Sequence, residues 1–384
     1  MNIVHNDRTK TFKYCAAYVD ADAFRRKIMV SMKDISAVCG VSVATVSKAL
    51  NDQSDIGKET KRRIRQVAEE MGYFPNTAAK MLKTNRSYNV GVLFNHEDYS
   101  GLTHDYYASV LDSLKRTVEE RGYDITFINT CKEKRGTTSY LEHCRSRGFD
   151  GIAIVCTDFY SPEILQLVMG GIPTVTLDHL FHNVCAVMSN NVKGIEDLLT
   201  YVYKKGHRRV AYIHGADSAV TQSRLASFYR TADRFNLTAP DEYIRMSPYR
   251  DTKGACRETE FLLNLENPPT CILYPDDFSA FGGYNAIKER GLRVPDDISV
   301  AGYDGIRIAR HIEPTLTTLC QDTEELGRQV GEKLINLIEQ PKTTLVETIV
   351  VDGHVFEGNS VADIHGGTKD TAARRKEDGV VDYI

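Results

Sequence analysis

No segment of the 384-residue chain approaches the ~18–20 consecutive apolar residues of a membrane helix, so no membrane span is predicted. Nine cysteines occur without CxxC or CxxH spacing. They are scattered among apolar residues, as at Cys156 and Cys271, which predicts reduced core thiols, no metal site and a cytoplasmic protein. Neither a GxGxxG nor a Walker loop is present; Gly282-Gly283 does not form a phosphate cradle, which argues against the alternative of a sugar-acting enzyme, such as a kinase, with an appended regulatory domain. No Ser-His-Asp or Cys-His constellation follows from the residue order, so no catalytic residue and no cofactor is expected. Residues 1–28 contain basic residues but no apolar signal core. They are expected to be a disordered arm, or to lie upstream of a true start at Met29. The tail 361–384 is polar and has no leucine heptads, which argues against a tetramerising coiled coil and for a dimer.

What the chain does have is concentrated near its start. Ser31-x-x-Asp34 is a capping box opening a helix whose apolar side carries Ile35 and Val38. Gly40 provides a turn, with Val41 beneath it. Ser42 caps a second helix with Val46, Ala49 and Leu50 facing inward. Its outward face is Val43, Ala44, Thr45, Ser47 and Lys48. Short, hydroxyl-bearing and basic, that face suits the major groove, where hydroxyls reach phosphates and lysine can reach guanine.

A third helix, about 57–72, sets Ile64, Val67, Ala68 and Met71 at helical spacing and can close a three-helix core. Tyr73-Phe74-Pro75-Asn76 then stops the chain and restarts it. Residues 77–83 form a helix too short to be stable alone. Across 29–87, ten lysines and arginines face six acids, a net +4. The whole chain is −4, so the remainder carries −8, and positive charge collects at the groove reader.

The run GVSVATVSKALN, followed by GYFPN and Leu82-Lys83 in this order and spacing, resembles the DNA-binding headpiece and hinge of the lac-repressor (LacI/GalR) family of bacterial transcription regulators. The similarity extends to about Ser360. The resemblance implies that Val43, Ala44 and Lys48 read bases and that Ser42, Thr45, Ser47 and Asn51 contact phosphates. It places Leu82 as a wedge in the minor groove beside Lys83, with Asn76 and Lys80 on the same hinge segment. Such a wedge costs on the order of a few kcal/mol per base step unstacked. Two hinges sharing it imply a homodimer on a pseudo-palindromic operator.

From Tyr88 the pattern becomes strands alternating with helices, as in NVGVLFN, ITFIN, GIAIVC and PTVTL, and then again in VAYIH. Alternation predicts parallel sheets covered by helices, with ligands bound beyond the carboxyl ends of the strands. The predicted fold is thus a small all-α helix-turn-helix headpiece (29–74), a hinge (75–87) and an α/β two-lobed core (88–360), and the resemblance makes that core a type I periplasmic-binding-protein core. Lobe 1 is expected over about 88–190 and 320–345, lobe 2 over about 191–319 and 346–360. By the resemblance, His104, Tyr106, Tyr107, Asp178, Arg224, Tyr249 and Asp277 are the effector residues, with Ser227 where the family usually has glycine. Asp accepting and Arg donating can hold vicinal hydroxyls while rings cover an apolar sugar face, so a neutral or anionic small molecule, a sugar, is expected. Asp304 is expected to fix a turn, and His207 to be a hydrogen-bonded packing residue. A solute-binding protein feeding a transporter would need a signal peptide and no basic headpiece, and neither holds.

Overall fold

The computed structural model describes residues 30–74, 86–95, 101–129, 132–133 and 136–365. The expected hinge residues Asn76, Lys80, Leu82 and Lys83 lie outside the described residues, as do 1–28 and 366–384. The chain divides into two compact units on either side of the Asn85–Arg86 boundary.

The first unit contains α1 (Met32–Cys39), α2 (Val43–Leu50) and α3 (Lys58–Glu70). Asp34 accepts from the Ser31 backbone N–H at 2.8 Å and from its hydroxyl at 2.7 Å, forming the predicted capping box. Gly40 ends α1 at φ +63°, which a side chain would disfavour. Ile35, Cys39, Val46, Ala49, Ile64 and Ala68 form the core. Val38, expected on the inner side, is 57% exposed. Cys39 replaces it because four residues lie closer to one 3.6-residue turn than three do. A core this small leaves the unit marginal, so its helix caps matter disproportionately.

The second unit carries two six-stranded sheets. In lobe 1 the order is β13 (Thr348–Val351), β7 (Cys185–Ser189), β6 (Thr174–Leu177), β5 (Gly151–Cys156), β1 (Asn89–Phe94) and β2 (Asp124–Phe127), with every pairing parallel. In lobe 2 it is β14 (His354–Phe356), β12 (Thr317–Cys320), β11 (Ser299–Asp304), β10 (Cys271–Leu273), β8 (Val210–His214) and β9 (Ile244–Met246). Only β14 runs antiparallel there, against β12. A short hairpin, β3 (Lys132–Glu133) with β4 (Gly136–Thr137), stands apart. Helices on both faces bury the central strands, which is why GIAIVC reads as an unbroken apolar run.

The helices that place functional groups are α4 (Asp105–Glu120), α5 (Tyr140–Arg147) and α6 (Pro162–Val168) in lobe 1. In lobe 2 they are α7 (Asn191–Lys204), α8 (Ala219–Arg234), α9 (Thr252–Leu263) and α10 (Asp277–Glu289). A final helix, α11 (Thr323–Glu339), packs along α4 of lobe 1 through close approaches of Gly327 to Val110 and Ser113. Helix α8 starts at Ala219, capped by Ser218, five residues before the Arg224 start read from sequence.

The chain crosses between the lobes three times, and hydrogen bonds join the crossings. Asn190 N–H donates to Val351 O at 2.8 Å, and Asn190 Nδ2 donates to Asp352 Oδ1 at 2.8 Å. The Ser189 hydroxyl donates to Gln321. Because β13 belongs to the lobe 1 sheet, the third crossing follows Val351 rather than falling near Leu345 as expected. TIVV is an edge strand of four residues, half exposed, so its apolar run is too brief to mark which sheet it joins.

Candidate functional sites

In the first unit, Ser42 Oγ accepts from Thr45 N–H at 3.1 Å and lies 2.9 Å from Thr45 Oγ1, so the cap also fixes the Thr45 hydroxyl. Val43, Ala44 and Lys48 are exposed and Ser47 is partly so, leaving the outward face of α2 free of core duties. Asn51 Nδ2 donates to Ser47 O at 2.7 Å, which closes the helix end. Lys48, the cation of this face, is ion-paired to Asp55, whose carboxyl is held below its ordinary range mainly by that hydrogen bond. Lys61 and Arg65 fold onto Asp52 at 3.0 and 2.9 Å. A helix ~10–12 Å across with short side chains on one face matches a major groove ~12 Å wide.

In the second unit, a cleft of about 420 Å³ opens between the lobes, at the carboxyl ends of the strands. Of the residues expected there, His104, Tyr106, Tyr107, Asp178, Arg224 and Tyr249 line it. Asp277 does not line it. It is fully buried, accepting from Thr318 Oγ1 at 2.6 Å and from Ile306 N–H at 2.8 Å. Burial, and then the neighbouring Asp304, raise its carboxyl well above the usual range, and its two hydrogen bonds tie the first turn of α10 to β12 and to the segment after β11. Its neighbour Asp276 faces the cleft instead and caps α10 by accepting from Ser279 N–H at 2.8 Å.

The cleft floor is polar and bonded throughout. Tyr106 OH donates to Asp178 at 3.0 Å, and Ser189 N–H donates to its other oxygen at 2.6 Å. Burial raises the Asp178 carboxyl, opposed by those two donors and by Arg224. Arg224 is 4% exposed; its Nε donates to Asn191 at 2.7 Å and its Nη1 to Pro275 O at 2.9 Å, and its guanidinium lies 3.5 Å from the Tyr303 ring centre. Tyr249 OH and Thr221 Oγ1 are 2.9 Å apart. His104, Tyr106 and Tyr107 form an edge-on aromatic group, with His104–Tyr107 at 4.7 Å. Such a floor can receive a polyhydroxyl compound, carboxylates accepting and a guanidinium donating.

Reasoning from sequence missed Asp304, Gln321, Arg250 and the aromatic set Phe159, Tyr160 and His179, all of which line the cleft. Asp304 does end a strand at a turn, with φ +105°, but it also accepts from Gln321 Nε2 at 2.7 Å beside the ligand space. Burial pushes its carboxyl up to about 7. Since Asp304 ends β11 and Phe159-Tyr160 follows β5, the strand-end rule would have found both.

These two sites define a class of protein: a helix-turn-helix DNA reader carried on a two-lobed small-molecule-binding core. The signature "Bacterial regulatory proteins, lacI family" matches residues 31–76, and a "Periplasmic binding protein-like domain" matches residues 199–361. The probable repressor ExuR of Bacillus subtilis is 30% identical over 82% of this chain and 93% of its own. The ribose operon repressor of Escherichia coli K12 is 30% identical over 82% of this chain and 94% of its own. A lac repressor dimer solved with operator and the anti-inducer ONPF matches the fold with TM-score 0.71 at 22% identity, over 87% of this chain and 99% of that one. The chain belongs to the lacI family of bacterial regulatory proteins, and with that membership comes the function of a ligand-controlled, DNA-binding transcriptional repressor.

Proposed function

We propose that the protein acts in the cytoplasm as a homodimeric, non-enzymatic repressor that reads a pseudo-palindromic operator with α2 and is switched by a sugar held between its lobes. The observation that carries the DNA reading is the outward face of α2, where Val43, Ala44 and Lys48 are exposed and free of the core. Val43 and Ala44 offer only apolar contacts, such as to a thymine methyl, so Lys48 carries the polar readout. Ser42, Thr45, Ser47 and Asn51 serve the phosphates. In this reading Asn76, Lys80, Leu82 and Lys83 fold into the minor groove when two copies meet on the operator. Asp178, Arg224 and Tyr249 hold the sugar, joined by Asp276 and Asp304, while Asp277 keeps the lobe 2 floor in shape. Lobe closure on the sugar alters the lobe next to the hinge, so sugar and operator affinities are reciprocally linked.

The test is a gel shift of the full chain against a fragment pool from the source genome, with and without added sugars. A retained fragment whose retention changes with one sugar is expected. Lys48→Ala should then lower discrimination at one base position by about 1–3 kcal/mol. Equal losses on retained and random DNA would make Lys48 a phosphate contact, and no retained fragment under any condition would sink the reading.

A further inference from the structure

The cleft is graded. Its floor holds Asp276 and Arg224, 2% and 4% exposed, whereas its mouth carries Tyr160, 73% exposed. There the ring is open to contact by a bound molecule. Tyr160 does not stand alone. The His179 ring stacks flat on Phe159 at 4.3 Å with a 5° interplanar angle, and Tyr160 meets His179 at right angles, 5.5 Å away. Phe181 braces the same imidazole at 4.6 Å. The loops after β5 and β6 thus build a rigid aromatic platform on the lobe 1 side of the mouth. Burial lowers the His179 pKa, so its ring is neutral near pH 7 and presents an uncharged face.

Volume and the polar lining narrow the ligand. A ring the size of benzene occupies a cavity of ~150 Å³. The cleft, at about 420 Å³, therefore accepts two six-membered rings. Its lining bears five carboxyl groups, Asp158, Asp178, Asp217, Asp276 and Asp304, against two guanidiniums, Arg224 and Arg250. Both guanidiniums are engaged: Arg224 as described above, Arg250 with Asp105 at 3.6 Å and over the Phe278 ring at 3.9 Å. Burial raises the Asp178, Asp276 and Asp304 carboxyls, so the floor offers carboxyl groups that can donate to hydroxyls as well as accept from them.

We propose that the effector is a glycoside of two rings, the first bound by hydroxyls on the acid-lined floor and the second resting on the Phe159–Tyr160–His179 platform. This deepens the sugar reading above and depends on it. Sugar rings have apolar faces that lie against aromatic rings, while their hydroxyls satisfy carboxylates, and the graded cleft supplies both in that order.

The experiment is titration calorimetry of the full-length protein and its Tyr160→Ala variant. The probes are glucose, galactose and xylose, the disaccharides cellobiose, maltose, lactose and xylobiose, and two anionic sugars, galacturonate and glucose 6-phosphate. At least one disaccharide should bind more tightly than its constituent monosaccharides. Tyr160→Ala should weaken that disaccharide about threefold to tenfold while leaving any monosaccharide unchanged. Tyr160 is exposed and outside the cores, so the variant folds, which an unchanged thermal unfolding curve would verify. A one-ring sugar as best ligand, neutral or anionic and indifferent to Tyr160→Ala, overturns the two-ring inference and leaves the sugar reading standing. Silence from every sugar overturns both.

Discussion

Replacing Asp304 by asparagine should stabilise the ligand-free core at neutral and alkaline pH. Asparagine keeps the shape and an oxygen for the Gln321 donor at 2.7 Å, and removes only the titration. Burial lifts the Asp304 carboxyl from 3.8 to about 7, against the pull of Arg224. Over that interval the unfolded chain has released its proton while the folded chain still holds it. Wild-type stability therefore falls as pH rises from about 4 to about 7. The interval is about three pH units at ~1.36 kcal/mol each, giving an upper bound of ~4 kcal/mol. Asp304 keeps partial solvent contact in the cleft, which halves the working figure to ~2 kcal/mol. Urea unfolding followed by far-UV circular dichroism, at intervals from pH 4.5 to 8.5, compares the two proteins. Their difference should be near zero at the acid end and reach ~2 kcal/mol in favour of Asp304→Asn above pH 7. A difference independent of pH would refute the raised carboxyl. A less stable variant at pH 8 would mean that Arg224 outweighs burial.

Three further outcomes follow from groups described above. Ser42→Ala removes the acceptor of the Thr45 amide and should cost ~1 kcal/mol. Amide hydrogen exchange in α2 should quicken about fivefold. His207 gives the opposite pH dependence to Asp304. Burial lowers its imidazole to about 4, so its stabilisation is complete above its ordinary 6.5 and is lost as pH falls toward 4. That loss is worth ~3 kcal/mol, and His207→Gln should flatten the acid limb of the stability profile by that amount. Lys48→Ala, measured against single-base operator variants, should abolish preference at one position while leaving the others.

Much of this architecture could be read from residues alone, because the signals were local. Ser31, Gly40 and Ser42 specify caps and a turn through their own chemistry, and runs such as GIAIVC and VAYIH are rich in apolar residues of strand type. The strands missed are no shorter than some that were read, but they fall outside the regular strand–helix alternation. β12 reads TTLC and β13 reads TIVV, short strands whose pairing depends on distant partners. β7, CAVMS, was unread for the same reason. Helix α11 is amphipathic, yet its glycines at 327 and 331 weaken its propensity and make sense only against α4. Within the cleft, Asp277 and Asp276 are adjacent, and sequence spacing cannot say which of two neighbouring carboxylates turns inward. The Thr318 hydroxyl and the Ile306 amide, far away in the chain, make that choice.

The stitched crossings have a mechanical consequence. The crossing segments Ser189–Asn191, Cys320–Asp322 and Val351–His354 are joined by hydrogen bonds, and a Cβ on Gly353 would meet Cys320 O at 2.6 Å. Links this tightly fastened resist stretching and sliding, which leaves swivelling as the cheap motion. A molecule lodged near that axle works at a short radius, and strands at the far rim travel the long arc. In the proposed closure around an effector, a modest swivel at the axle becomes a larger displacement at the periphery.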